Sequence, residues 1–255
     1  MEILEFGNKE GKKIVFIHGF QTPYQIWNDY IKHYSDKFHI IVPILPGHNP
    51  NKKEEFISFD NCALEIEDYC FNKNFSELEA VYGLSMGGIV AAKLLMNKKI
   101  KIKYLFFEST PLVGCSKFLT KMLTKNYLKL THQVQNDDPK TIKRATTSII
   151  TPDKLNCFLD MMKNMNDIDI KNYLKAVSQF KLPSNLDIGT TKIYYFYGTK
   201  INEMLAKKTV SFIKKHKIYI QPVTCSGQGH CETFIFEPYK KMELLDYILI
   251  KNIEI

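Results

Sequence analysis

Short apolar runs alternate along the chain with longer stretches in which apolar residues recur every three or four positions. Strand-like runs fall at residues 2–6, 13–17, 39–44, 79–84, 102–107, 192–197 and 217–223. Helical periodicity fills the gaps between them. Segment 23–34 has Thr22 as a candidate cap and Pro23 at the first helical position, 59–71 follows Ser58, and 86–96 is rich in small residues. Strands alternating with helices predict an α/β fold with a mostly parallel central sheet, helices on both faces, and ligands met at the carboxyl ends of the strands.

The alternation stops between Pro111 and Pro183. This stretch has no convincing strand, but helical spacing at 116–130, 139–149, 152–165 and 168–180, with apolar sets such as Phe118 and Met122, or Leu155, Phe158, Leu159 and Met162. The expected organisation is therefore a core built from 1–110 and 184–255, interrupted by a helical insertion at 111–183. No internal repeat or low-complexity linker is evident.

The candidate chemistry begins where the fourth strand meets its helix, in Gly83-Leu84-Ser85-Met86-Gly87. A serine between glycines at a strand-to-helix turn forms a nucleophile elbow, in which the small neighbours let the backbone turn sharply and lift the hydroxyl clear of the sheet. The amide of Met86 then faces the place where an oxyanion would form.

Two further landmarks flank the elbow: Ile14-Val15-Phe16-Ile17-His18-Gly19-Phe20 upstream and Gly227-Gln228-Gly229-His230 near the end. With these motifs in this order, the chain resembles the α/β-hydrolase family over nearly its whole length. The resemblance implies that the Phe20 amide is the second oxyanion donor, that His230 is the catalytic histidine, and that 111–183 is a helical cap over the nucleophile. His18 resembles the family's structural His-Gly turn, and His48, in Pro46-Gly47-His48, is read the same way. The implied activity is cleavage of carboxylic esters through an acyl-enzyme, with no cofactor and no metal. Capped esterases and lysophospholipases suggest acyl esters or lysophospholipid-like esters as substrates. The same scaffold also serves acyltransferases, carbon–carbon bond hydrolases and non-catalytic binding proteins.

The acid departs from the family pattern. After the strand at 192–197 the sequence Gly198-Thr199-Lys200-Ile201-Asn202-Glu203 contains no Asp, so Glu203 is the nearest carboxylate. Glu108, at the end of the preceding strand, is the alternative, and an acid-free dyad is the third possibility.

Charge adds less than its size suggests. The net charge is +8, yet Arg144 is the only arginine, so the guanidinium groups that dominate nucleic-acid reading are nearly absent and no nucleic-acid partner is expected. Lys117, Lys121, Lys125 and Lys129 recur every fourth residue and predict a basic stripe on one helix, read either as a solvated face or as a lure for anionic substrates or a phospholipid surface. Met161, Met162 and Met165 are candidates for a pliable pocket or for ordinary core. Six scattered cysteines suggest neither a zinc site nor a disulfide framework. No apolar run approaches the roughly 20 residues of a bilayer span, and the charged start does not read as a signal peptide, so a cytoplasmic location without membrane insertion is expected.

Overall fold

The structure, a computed structural model, describes residues 1–251 and 253. Seven strands form one sheet: β1 (Glu2–Gly7), β2 (Lys12–Ile17), β3 (Phe38–Ile44), β4 (Glu77–Leu84), β5 (Lys101–Glu108), β6 (Lys192–Gly198) and β7 (Gln221–Cys225). Their spatial order is β1-β3-β2-β4-β5-β6-β7, and β1 alone runs antiparallel to its neighbour. The central strands read as near-continuous apolar runs because both of their faces are covered. In β2, Val15 and Ile17 point into one core with α2 (Phe59–Asn72) and α3 (Gly87–Asn97), while Ile14 and Phe16 point into the other with α1 (Asn28–Tyr34) and α10 (Pro238–Leu249). The α8 helix (Met204–Lys215) joins the first of these layers.

Between β5 and β6 the chain forms four helices: α4 (Lys117–Gln135), α5 (Pro139–Ser148), α6 (Leu155–Asn164) and α7 (Asp167–Gln179). Local signals account for their starts. Ser116 Oγ accepts from the Leu119 amide, Asp138 from Thr141, and Asn166 from Asp169, each satisfying an amide that the first helical turn leaves without a partner.

Two elements differ from the sequence expectation. Segment 23–34 is split into a 3₁₀ turn, Tyr24–Trp27, followed by α1, and Pro23 lies outside the helix with ψ 152°. Thr22 is not a cap, because its hydroxyl donates back to the Phe20 carbonyl at 3.1 Å, and a residue before proline is steered away from helical geometry. The last strand is also displaced, to Gln221–Cys225. Lys217, at φ +52°, ends the turn after α8, and Ile218 and Ile220 are buried in the connection rather than paired in the sheet. Pro222 is tolerated because β7 is an edge strand that bonds to β6 alone.

An aromatic stack ties the far end of the chain to the sheet. Phe16 stacks on Trp27 at 4.5 Å, Trp27 meets Phe234 edge-on at 4.8 Å, and Phe234 stacks on Tyr30 at 4.5 Å. The Tyr30 hydroxyl also donates to the Phe234 carbonyl at 2.9 Å. Phe234 belongs to the short helix α9 (Glu232–Phe236), so the stack holds in place the loop that carries His230.

All six cysteines are free thiols. Among the described residues no helix is long and apolar enough to cross a membrane. Phe234→Ala removes the ring shared by Trp27 and Tyr30, so it is expected to lower stability by about 3–5 kcal/mol, read as a shifted urea midpoint at unchanged m-value.

Candidate active site

β4 ends at Leu84 and α3 begins at Gly87, so the chain turns within two residues. Ser85 takes a left-handed φ of +50°, a conformation that costs a non-glycine residue about 1–3 kcal/mol and persists only where its surroundings enforce it. Here the enforcement is visible. The Ser85 amide donates to the Glu108 carbonyl at 2.7 Å, and that of Gly88 to the Ser85 carbonyl at 3.0 Å. A Cβ at Gly83 would lie 2.3 Å from Gly88 Cα, and one at Gly87 would lie 2.4 Å from the His18 carbonyl oxygen. The two glycines flanking Ser85 thus permit three backbone segments to meet at the turn.

Ser85 Oγ lies 2.8 Å from His230 Nε2. His230 Nδ1 in turn lies 3.5 Å from Glu203 Oε2, an ion-pair distance longer than a tight hydrogen bond. Glu203 is almost wholly buried, and its other oxygen accepts from the Gly198 amide at 3.1 Å and from the Ser109 hydroxyl. Burial works against its ionised form, but His230, Ser109 and Gly198 together outweigh it and hold the carboxyl below its usual pKa. Burial likewise opposes the imidazolium of His230, and the neighbouring Cys231 sulfur and Glu203 carboxylate outweigh it, raising the histidine above its ordinary value. The Cys231 thiol is itself pushed up by burial, so at neutral pH Glu203 supplies the negative charge.

The loops carrying these groups are tied to one another. Thr199 and Lys200 amides both donate to the Gln228 carbonyl, at 2.9 and 3.0 Å, and Lys200 pairs with Glu232 at 2.7 Å. Ser109, at φ +52°, bridges the two sides, because its hydroxyl donates to Glu203 and accepts from the Cys231 amide at 3.2 Å.

Glu108 is brought elsewhere. Its carboxylate accepts from the Tyr82 hydroxyl at 2.6 Å and from Lys241 Nζ at 2.9 Å, and both charged side chains of that pair are buried. Lys241 also sits 4.0 Å above the Phe196 ring. Of the two candidate carboxylates, Glu203 is the one that reaches His230.

Solved structures share this arrangement of sheet and helices. An alpha/beta hydrolase family protein from Desulfitobacterium hafniense superposes with a TM-score of 0.77 at 17% identity, covering 97% of this chain and all of that one. An esterase from Exiguobacterium antarcticum gives 0.71 at 15% identity, covering 97% and 93%. The chain is an α/β-hydrolase by fold. No family model matches this hydrolase-fold chain. In sequence it is 27% identical over 198 residues, 69% of its length and 74% of the relative's, to the pimeloyl-[acyl-carrier protein] methyl ester esterase of Wigglesworthia glossinidia brevipalpis. A protein of the same description from Legionella pneumophila is 28% identical over 96 residues, 38% of this chain and 37% of that one.

The loop after β2 packs directly on the elbow, since a Cβ at Gly19 would lie 3.5 Å from that of Ser85. Among the described residues neither the Phe20 nor the Met86 amide donates to a protein acceptor. Two buried histidines brace the loop. His18 Nδ1–H donates to the Gly19 carbonyl at 2.9 Å and its Nε2 accepts from the Leu45 amide at 3.0 Å; His48 Nε2 accepts from the Gln21 amide at 3.0 Å. Burial lowers their pKa values to about 4 and about 3, so both are neutral clips.

A chamber of about 230 Å³ opens beside Ser85 and His230, walled in part by Phe20, Thr22, Tyr127, Leu130, Ile149 and Asn202. Among the described residues, His230, Tyr127 and Cys231 are the ionisable side chains that line it. Tyr127, Leu130, Ser148 and Ile149 are shared with a second cavity of about 810 Å³ between α4 and α5. Met161, Met162 and Met165 do not line the chamber; they are buried in the core, where their helical spacing serves packing. Sequence reasoning missed Ser109 and Gln21. Gln21, at φ +51°, donates through Nε2 to Thr131 Oγ1 of α4 at 2.7 Å, and nothing local in its sequence announces that contact.

Glu108→Gln leaves the buried Lys241 ammonium without its counter-charge. Stability is expected to fall by about 3–5 kcal/mol, measured by urea denaturation.

Proposed function

We propose that this protein is a serine hydrolase of carboxylic esters, with Ser85 as nucleophile, His230 as general base and Glu203 as the acid that orients it. The observation that carries the reading is the 2.8 Å contact between Ser85 Oγ and His230 Nε2 at a strained elbow. Serine is a weak nucleophile at neutral pH, so His230 takes its proton as the hydroxyl attacks the ester carbon and returns it to the departing alcohol. The Glu203 carboxylate favours the Nδ1–H tautomer and stabilises the imidazolium that forms, and the 3.5 Å separation tightens as charge develops. Ser109 acts through Glu203 as a positioning residue.

The amides of Phe20 and Met86 receive the oxyanion, each contributing about 3 kcal/mol to lowering the barrier. The acyl-enzyme is then cleared by water through the same histidine. Residues 111–183 act as the cap over a core of 1–110 and 184–255, a role supported by the contribution of Tyr127, Leu130, Ser148 and Ile149 to the chamber wall. A chamber of about 230 Å³ whose walls, apart from His230, are uncharged among the described residues suits the small side of an ester, while the adjoining α4–α5 cavity has room for a longer one. A pimeloyl-[acyl-carrier protein] methyl ester, the substrate named for the Wigglesworthia and Legionella relatives, has that shape, with a methyl group on one side and a larger acyl group on the other.

Two experiments test the reading. A fluorophosphonate probe is expected to label Ser85 alone, with Ser85→Ala abolishing both labelling and hydrolysis of p-nitrophenyl acetate at unchanged circular dichroism; labelling at another serine refutes the assignment. The pH profile tests the rest. A base must be neutral, so a raised His230 pKa moves the acid limb of kcat/KM to a midpoint above the usual 6.5 or so. Glu203→Gln removes the charge that favours the imidazolium, so the midpoint should fall while turnover drops by about 10⁴-fold. A midpoint that Glu203→Gln leaves in place would exclude Glu203 from this role.

A further inference from the structure

The α4 helix has two working faces. Its inner side gives Tyr127 and Leu130 to the chamber wall and Thr131 to Gln21. Its outer side carries Lys117, Lys121, Lys125 and Lys129, and between them Phe118 and Met122, which are 80% and 44% exposed. No Asp or Glu occurs in its 19 residues. None of the four lysines pairs with a carboxylate among the described residues. The groove between α4 and α7 adds Lys175, and no carboxylate among the described residues lines it. On the other side of the chamber, Ile201 and Met204 flank the wall residue Asn202 and are exposed as well.

From this face we infer that α4 docks on a lipid surface rich in anionic headgroups. Lysines are flexible point charges suited to a diffuse negative surface, whereas an acidic protein groove is better matched by the planar fork of arginine, which this helix lacks. Single apolar side chains interleaved among lysines suit the boundary between headgroups and acyl chains, where Phe118 and Met122 would bury their exposed area. Docking of this kind lays the helix in the interface plane and spans nothing. It places the wall of the Ser85 chamber against the phase in which apolar esters dissolve. The inference rests on the surface and not on the chemistry of Ser85.

The test is co-sedimentation of the whole protein with vesicles of phosphatidylcholine alone, or with about a third phosphatidylglycerol, at low and high salt. Binding is expected to the anionic vesicles only and to weaken as salt rises. The double variant Lys121→Glu/Lys125→Glu should lose at least tenfold in apparent affinity, and Phe118→Ser about tenfold. Both variants should hydrolyse p-nitrophenyl acetate at the wild-type rate in vesicle-free buffer, showing an intact fold. Ser85→Ala should bind vesicles as the wild type does, which separates this inference from the proposed activity. Absence of binding to anionic vesicles, or undiminished binding of the double variant, overturns the proposal. Retention on immobilised polyglutamate without vesicle binding also overturns it and assigns the face to an acidic protein.

Discussion

The arrangement depends on crowding at one turn. β4, the start of α3 and the loop after β2 approach so closely around Ser85 that a single methyl group at Gly83 or Gly87 would collide with backbone. That closeness holds Ser85 in a left-handed conformation that its own side chain disfavours, and the Glu108 carbonyl completes the clamp by accepting the Ser85 amide. The strain is offset by the packing of strands whose two faces are both covered. A loose sheet would let the elbow relax and lower the hydroxyl.

Around this turn the structure separates two buried carboxylates at neighbouring strand ends. Glu108 is neutralised by Lys241 and bonded to Tyr82, so its charge is consumed in holding α10 against the sheet. Among the described residues Glu203 has no lysine or arginine partner; its charge is met by His230, a hydroxyl and an amide. An ionised carboxyl in a buried site needs compensation, and leaving the imidazole as the only cationic partner couples its charge to the protonation of that histidine. Ser109 makes the coupling rigid by holding Glu203 and the Cys231 amide with one hydroxyl.

The helices between β5 and β6 connect the same centre to the surface. Gln21 bonds to Thr131, and Phe20 packs against Tyr127 at 5.1 Å between ring centres, so the loop beside Ser85 is tied to the inner side of α4. The shape of the chamber is therefore set jointly by the sheet and by α4, while the outer side of that helix is free to carry a different chemistry.

Sequence alone was sufficient for six of the seven strands and for the elbow, because these are written in local pattern. Apolar runs of five to eight residues mark buried strands whatever they pack against, and Gly-x-Ser-x-Gly between a strand and a helix has few other uses. The helices at 117–179 were legible for the same reason, through their spacing and caps. Distinguishing Glu203 from Glu108 required the tertiary structure, since both follow apolar strands and only the position of Lys241, 133 residues from Glu108, reveals which is already neutralised. The edge strand β7 was misplaced because Ile218 and Ile220 are apolar for burial in a connection, and periodicity does not distinguish that burial from a strand's. Ser109 and Gln21 could not be read at all, because each bonds to partners about 100 residues away and a lone polar residue in sequence carries no mark of the partner that will satisfy it.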